Sequence, residues 1–116
     1  MSMLAIYKLI HIGGAVTLFF GLGGIFVHAG EGKPPKLSMA LHALGLLALL
    51  VAGFGRASRL GFPLTDGWIL AKAGIWIVLG AMPVFVRKGI VPRPIAWLVV
   101  LGLAFCAIYL AIEKPF

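Results

Sequence analysis

PIAWLVVLGLAFCAIYLAI, residues Pro94–Ile112, runs for nineteen residues without a single charge. At 1.5 Å per residue a helix of that length covers about 29 Å, close to the ~30 Å hydrocarbon thickness of a bilayer. Working outward from it, three more stretches of the same kind fill most of the 116 residues: Leu4–Ala29, Ser38–Leu60 and Gly67–Val86. The ionisable side chains lie between these stretches or towards their ends, and what remains is too short for a soluble domain. The chain is therefore expected to be an all-α, polytopic membrane protein. It forms one domain over residues 1–116, with spans at about 4–29, 38–60, 67–86 and 94–112.

Composition agrees. Apolar residues make up 62% and charged residues 11%, against roughly 25% charged in soluble domains. Sixteen glycines would each cost about 1 kcal/mol relative to Ala in soluble helices, whereas in membrane bundles they let backbones approach. A net charge of +7 is spread over loops and helix ends, which fits anionic lipid headgroups and argues against nucleic acid. Cys106 lies within the fourth span and, as the single cysteine, can form no internal disulfide. The opening span is too long for a signal-peptide core, and Glu31–Lys36 offers no convincing cleavage site.

The connections are short: Gly30–Lys36, Gly61–Gly67 and Arg87–Pro94. Short loops make neighbouring helices antiparallel, giving an up-down-up-down four-helix bundle. Ser38 is expected to cap the second helix, and Thr65 and Asp66 the third. Gly13, Thr17 and Gly21, then Ala48 and Ala52, then Ala104, Ala107 and Ala111, are expected contact faces of small residues, against either an internal or an external partner. Pro83 should kink the third helix or end its regular ladder, freeing a carbonyl one turn earlier. Both termini share a side with Lys8, Arg56, Arg59, Lys72 and Lys114, against Lys33, Lys36, Arg87, Lys88 and Arg93 opposite. Discounting Lys8 and Lys72 as lying within spans, the loop balance leans towards both termini facing away from the cytoplasm.

Within hydrocarbon, polar side chains are costly and are usually paired or functional. His11 lies a third of the way along the first helix, and His28, at its far end, is about 25 Å further along the axis. His42, a turn into the returning second helix, shares a membrane side with His28. Such a pair can supply both axial ligands to a b-type haem; equally, His28 can sit in the interface while His42 bonds a backbone carbonyl. The opposite side gathers Lys8, His11, Asp66, Lys72, Tyr109 and Glu113. Lys8 and His11 share a helix face. Lys72 must pair with a carboxylate, bind an anion such as a porphyrin propionate, or snorkel to the headgroups. The candidate cofactor residues are thus His11, His28, His42, Lys72 and Lys8, with the three histidines as haem-iron ligands.

Lys8-Leu9-Ile10-His11, Gly21, Phe26-Val27-His28, Gly67-Trp68 with Ala71-Lys72, and the closing Lys114-Pro115-Phe116 resemble the small bacterial membrane proteins of the HemJ-type protoporphyrinogen oxidase group. The similarity extends to SirB-like and CopD-like proteins, which are also bundles of four or more helices with a histidine in the opening helix. The resemblance implies haem binding at His11 with Lys72 beside it, and the inner membrane of a bacterium as location. The chain departs from the group where Gly23-Gly24-Ile25 replaces a basic Pro-Arg-Leu element, and its third connection is shorter.

Other chemistries are excluded. Three carboxylates, Glu31, Asp66 and Glu113, are too few and too peripheral for a transmembrane proton relay. No phosphate-binding glycine loop, serine triad or structural zinc set is present. The expected function is binding of haem b or a porphyrin through intramembrane histidines, with a redox role open to it. The alternatives are a non-catalytic accessory or scaffold subunit of a larger membrane complex, such as a respiratory one, and a HemJ-like oxidase. Partners are the bilayer and either a larger complex or further copies of the chain.

Overall fold

The computed structural model describes all 116 residues as four helices: α1 (Met3–Val27), α2 (Lys36–Arg59), α3 (Gly67–Arg87) and α4 (Arg93–Glu113). Each is long and apolar enough to cross a membrane. The bounds fall within a few residues of the apolar stretches, because the charged and Pro/Gly-rich segments that punctuate the sequence are also the turns. Gly30 and Gly32 carry positive φ in the first connection, a conformation that glycine adopts without steric cost.

Only 20 of the 116 residues are buried, while Phe20, Leu98, Phe105 and Ile112 stand at 64–73% exposure. A water-soluble chain would hide such side chains; here they form the surface that meets lipid acyl chains. The long dimension of 45 Å matches a bilayer including its headgroup regions, about 40–45 Å. The other two, 29 and 17 Å, make the bundle flattened.

The helices do not pack evenly. α1 and α2 form by far the closest pair, because glycines remove the side chains between them. A Cβ on Gly21 would strike the backbone of Ser38 and His42, one on Gly45 the backbone of Gly14 and Leu18, and one on Gly14 the side chain of Ala48. Of the expected Gly13–Thr17–Gly21 face, Gly21 does meet α2, whereas Gly13 meets nothing within 4 Å and Thr17 donates its hydroxyl to the Gly13 carbonyl. The buried row is Gly14, Leu18, Gly21, Leu22, Ile25 and Phe26. Ser38 is also corrected. α2 starts two residues earlier, at Lys36, with Pro35 as its N-cap and no side-chain cap bond. Ser38 instead faces Gly24, whose missing Cβ makes room for its hydroxyl. Asp66 does occupy the N-cap of α3, without a side-chain cap bond; the Trp68 N–H is taken by the Phe116 carbonyl at 2.9 Å.

α2 and α3 are joined by a reciprocal pair of hydrogen bonds. The Trp76 indole N–H donates to the Leu46 carbonyl (2.8 Å), and the His42 Nε2–H donates to the Leu79 carbonyl (3.1 Å). Leu79 lies four residues before Pro83, so its carbonyl is the one that proline deprives of an intrahelical donor. α3 continues past Pro83 to Arg87, its ladder mended from outside by the histidine.

At the end of the bundle that carries the first and third connections, Leu18, Leu22, Ile25, Phe26, Ala29, Leu79, Met82, Val86, Ala96 and Val100 form the main core. Phe26 meets Trp97 edge to face at 5.2 Å, and Arg93 donates to the Val27 carbonyl at 3.2 Å, so α4 is anchored to the end of α1. Towards the termini, Ala57, Trp68, Ile69 and Leu110 make a smaller cluster. α4 is thus tied to α1 at one end and to α2 and α3 at the other, and between these two anchor points few residues of α1 and α4 meet.

Candidate functional site

The space between the anchors is a cavity of about 1260 Å³, bounded by all four helices. Drug-sized ligands occupy clefts of roughly 300–1,000 Å³, so it can hold a large one. Ala104, Ala107 and Ala111, the small-residue face of α4, line it. Their expected role as a packing face is thereby revised: their small side chains leave room within the bundle.

The lining is apolar except at its ends. At the end shared by the termini stand Lys8, His11, Arg56, Lys72 and Lys114, and no Asp or Glu lines the cavity anywhere. Lys114, in a left-handed conformation at the end of α4, lays its ammonium over the rings of Trp68 and Phe62, 5.2 and 5.6 Å from their centroids. Such placement over aromatic faces partly offsets the desolvation of a cation. Arg56 has no comparable partner, and its Nε is buried without a hydrogen bond.

His11 is held more tightly than its sequence suggested. A carbonyl can only accept, so the 3.1 Å contact between its Nδ1 and the Leu49 carbonyl is an Nδ1–H donation. That fixes the neutral ring in the tautomer whose Nε2 carries a lone pair. Gly53, one turn beyond Leu49, gives the ring its place, since a Cβ there would meet His11 Cε1 and Nδ1 at 2.9 and 3.1 Å. Leu49, Gly53 and Arg56 follow one another at the i, i+4, i+7 spacing that defines one helix face. The face that orients His11 is thus the one that brings Arg56 to the cavity.

His28 also lines the cavity, at its far end, with Nδ1–H donated to the Gly24 carbonyl at 2.9 Å. His42 does not line it. The expected pairing of His28 with His42 is not formed. His42 packs beside Gly21, about two turns, or ~10 Å, short of His28 along α1. Its Nε2 is directed to Leu79 on α3. The reason is the glycine seam, which sets the register of α2 against α1 and turns the His42 side chain towards Pro83's helix.

Of the residues singled out from sequence, the structure brings together His11, Lys8 and Lys72. Asp66, Tyr109 and Glu113 are not part of the lining. Arg56 and Lys114 are the two site residues that sequence reasoning left among the loop charges. For Arg56 the signal was its helical spacing from Leu49 and Gly53, and it becomes readable only once α2's inward face is known. Within the chain, no cluster of three or more His, Cys, Asp or Glu side chains gathers into a metal-binding group. Compared with protein-family models, with curated proteins and with solved structures, the chain has no match.

Proposed function

We propose that this protein binds a b-type haem or a related porphyrin within its membrane-embedded cavity, with His11 as the residue that meets the ring system's metal. The observation that carries the reading is the His11–Leu49 hydrogen bond. Metal-ligating histidines characteristically donate their second ring N–H to a carbonyl or carboxylate, which orients the ring and raises the basicity of the ligating nitrogen. His11 has that arrangement, its Nε2 makes no hydrogen bond, and it lines an apolar cavity large enough for a macrocycle. Lys72 and Arg56 at the same end suit propionate groups. A bound haem would supply one-electron redox chemistry; the chain's own part is to orient the ring nitrogen, exclude water with apolar walls and hold the acidic groups.

His28 is the second candidate, since its Nε2 is likewise free and its Nδ1–H likewise fixed. It sits far from the cationic end, which favours His11. His42 is assigned to holding α3 together.

The test is the absorption spectrum, oxidised and dithionite-reduced, of protein purified in mild detergent after expression with a haem precursor. A Soret band and a sharp reduced α-band near one haem per chain are expected, lost in His11→Ala and retained in His28→Ala. A spectrum without haem in the wild-type protein, together with co-purification of a larger membrane complex, would overturn the proposal in favour of an accessory subunit. Porphyrinogen-dependent turnover by haem-loaded protein would extend it to a HemJ-like oxidase.

A further inference from the structure

The cavity is not closed on the side between α1 and α4. Its lining includes Ile12, Val16 and Phe20 from α1 and Ile108 and Ile112 from α4, all of which are 52–73% exposed on the outer surface. In a bilayer those exposed side chains meet acyl chains, so the opening between them faces hydrocarbon. A ligand passing this way must be dissolved in the membrane, with an apolar body that can slide between the helices.

The opposite requirement is set at the terminal end. Arg56 projects a guanidinium into a lining that holds Lys72, Lys8 and Lys114 and lacks any carboxylate, and its buried Nε has no partner. A buried guanidinium N–H without an acceptor is expensive, and a cluster of like charges adds repulsion. Lys114 is partly accommodated over Phe62 and Trp68; Arg56 and Lys72 have no such arrangement. An acidic group offers what both need, and a guanidinium matches carboxylate and phosphate oxygens by paired N–H donation.

We infer that the cavity is a laterally entered site for an amphiphile drawn from the bilayer, whose carboxylate or phosphate head is held by Arg56 with Lys72 while its apolar body lies between α1 and α4. This deepens the haem reading by naming the part of the ligand that the protein selects. It depends on that reading only for the place, because a metal-free acidic amphiphile satisfies it equally.

Trp68, Trp76 and Trp97 line the cavity, so their fluorescence reports occupancy. Haem-free protein in mild detergent, at mildly alkaline pH where the acid is ionised, is titrated with 9,10-dibromostearate and separately with dibromostearyl alcohol, whose chain is the same and whose head is neutral. Saturable quenching by the acid is expected, about tenfold or more tighter than by the alcohol. Arg56→Gln should remove that preference. Equal quenching by acid and alcohol, or an Arg56→Gln variant that keeps the preference, would overturn the inference. Lys72→Gln serves as the second variant should Arg56→Gln lose its helical circular dichroism, and it should weaken the preference in the same direction; an unchanged preference there would count against the inference. Nanodiscs containing phosphatidic acid or phosphatidylcholine, each with brominated chains, separate the sources of the head. Selective quenching by phosphatidic acid supports a lipid phosphate, and quenching by the free acid alone supports a carboxylate ligand. Because no iron is present, failure here leaves the Soret test untouched, and failure of the Soret test leaves this one standing.

Discussion

A histidine in hydrocarbon is affordable only when at least one ring nitrogen has found a partner, and each of the three here has chosen a backbone carbonyl. What differs is the fate of the other nitrogen. His11 keeps Nε2 at a cavity, while His42 is buried at 5% exposure away from the cavity lining. The position of the His11 ring depends on an absence, the missing Cβ of Gly53. Gly53→Ala should push the ring off the Leu49 carbonyl. Removing an orienting contact of this kind typically lowers metal affinity about 10–100-fold, so haem titration followed at the Soret band should show a loss in that range with helix content unchanged. Gly74→Ala is the matched control, because nothing lies within 4 Å of a Cβ there and its haem affinity should equal that of the wild type. Equal affinity in Gly53→Ala would remove the argument for His11 as the oriented ligand. His11 and Lys72 were legible in sequence because polar groups within a span are costly wherever they point. Arg56 was not, because a basic residue near a helix end is ordinary until the rotation of that helix is known.

Helix rotation is set at the scale of elements, by the seam between α1 and α2. Gly13 and Gly21 are eight residues apart, which at 100° per residue leaves them about 80° out of line, whereas Gly14 and Gly21, seven apart, drift by only about 20°. A spacing of four repeated twice thus points off the face that a straight helix presents, and the structure buries Gly14. Gly21→Ala and Gly45→Ala each thrust a methyl group into the partner backbone and should lower the thermal unfolding midpoint in detergent by several degrees. Gly13→Ala, which meets open space, should be neutral or stabilising by up to about 1 kcal/mol through helix propensity. A seam that tolerated Gly45→Ala as well as Gly13→Ala would not be the close packing described. The α2–α3 contact yields a sharper test. His42→Ala leaves the Leu79 carbonyl without its outside donor, at a cost of about 1 kcal/mol. Pro83→Ala restores an intrahelical N–H to the same carbonyl, so it should suppress the effect of His42→Ala. In a double-mutant cycle the two substitutions should couple, and strictly additive midpoints would break the link between them. Pro83's freed carbonyl and a backbone carbonyl as the partner of His42 could each be read from sequence, but that the two carbonyls are the same could not, because His42 and Leu79 lie 37 residues apart on different helices.

At the scale of the molecule, four spans, their order and their antiparallel run could be read from hydropathy and loop length alone, since both are local properties. The uneven packing could not. Whether Ala104, Ala107 and Ala111 seat against a neighbouring backbone or leave a space depends on where Trp97, Arg93 and Leu110 anchor the two ends of α4. An apolar space of about 1260 Å³ takes from its lining the helix-to-helix contacts that a closed bundle would make, so a bundle that keeps it has exchanged internal packing for capacity. That exchange can be measured in both directions. Ala107→Phe places a ring in the space and should raise the unfolding midpoint of the haem-free protein, as cavity filling commonly does. The same substitution should abolish haem uptake and quenching by dibromostearate. In the wild type, ligand at about 100 times its Kd should stabilise the fold by about 2.7 kcal/mol, giving a midpoint that climbs with ligand concentration. Ala107→Phe should flatten that dependence. If the variant were more stable and still responded to ligand like the wild type, the ligand would have to bind outside the four-helix cavity. If it were less stable, α4 would be packed more closely in the membrane than the space around Ala107 implies.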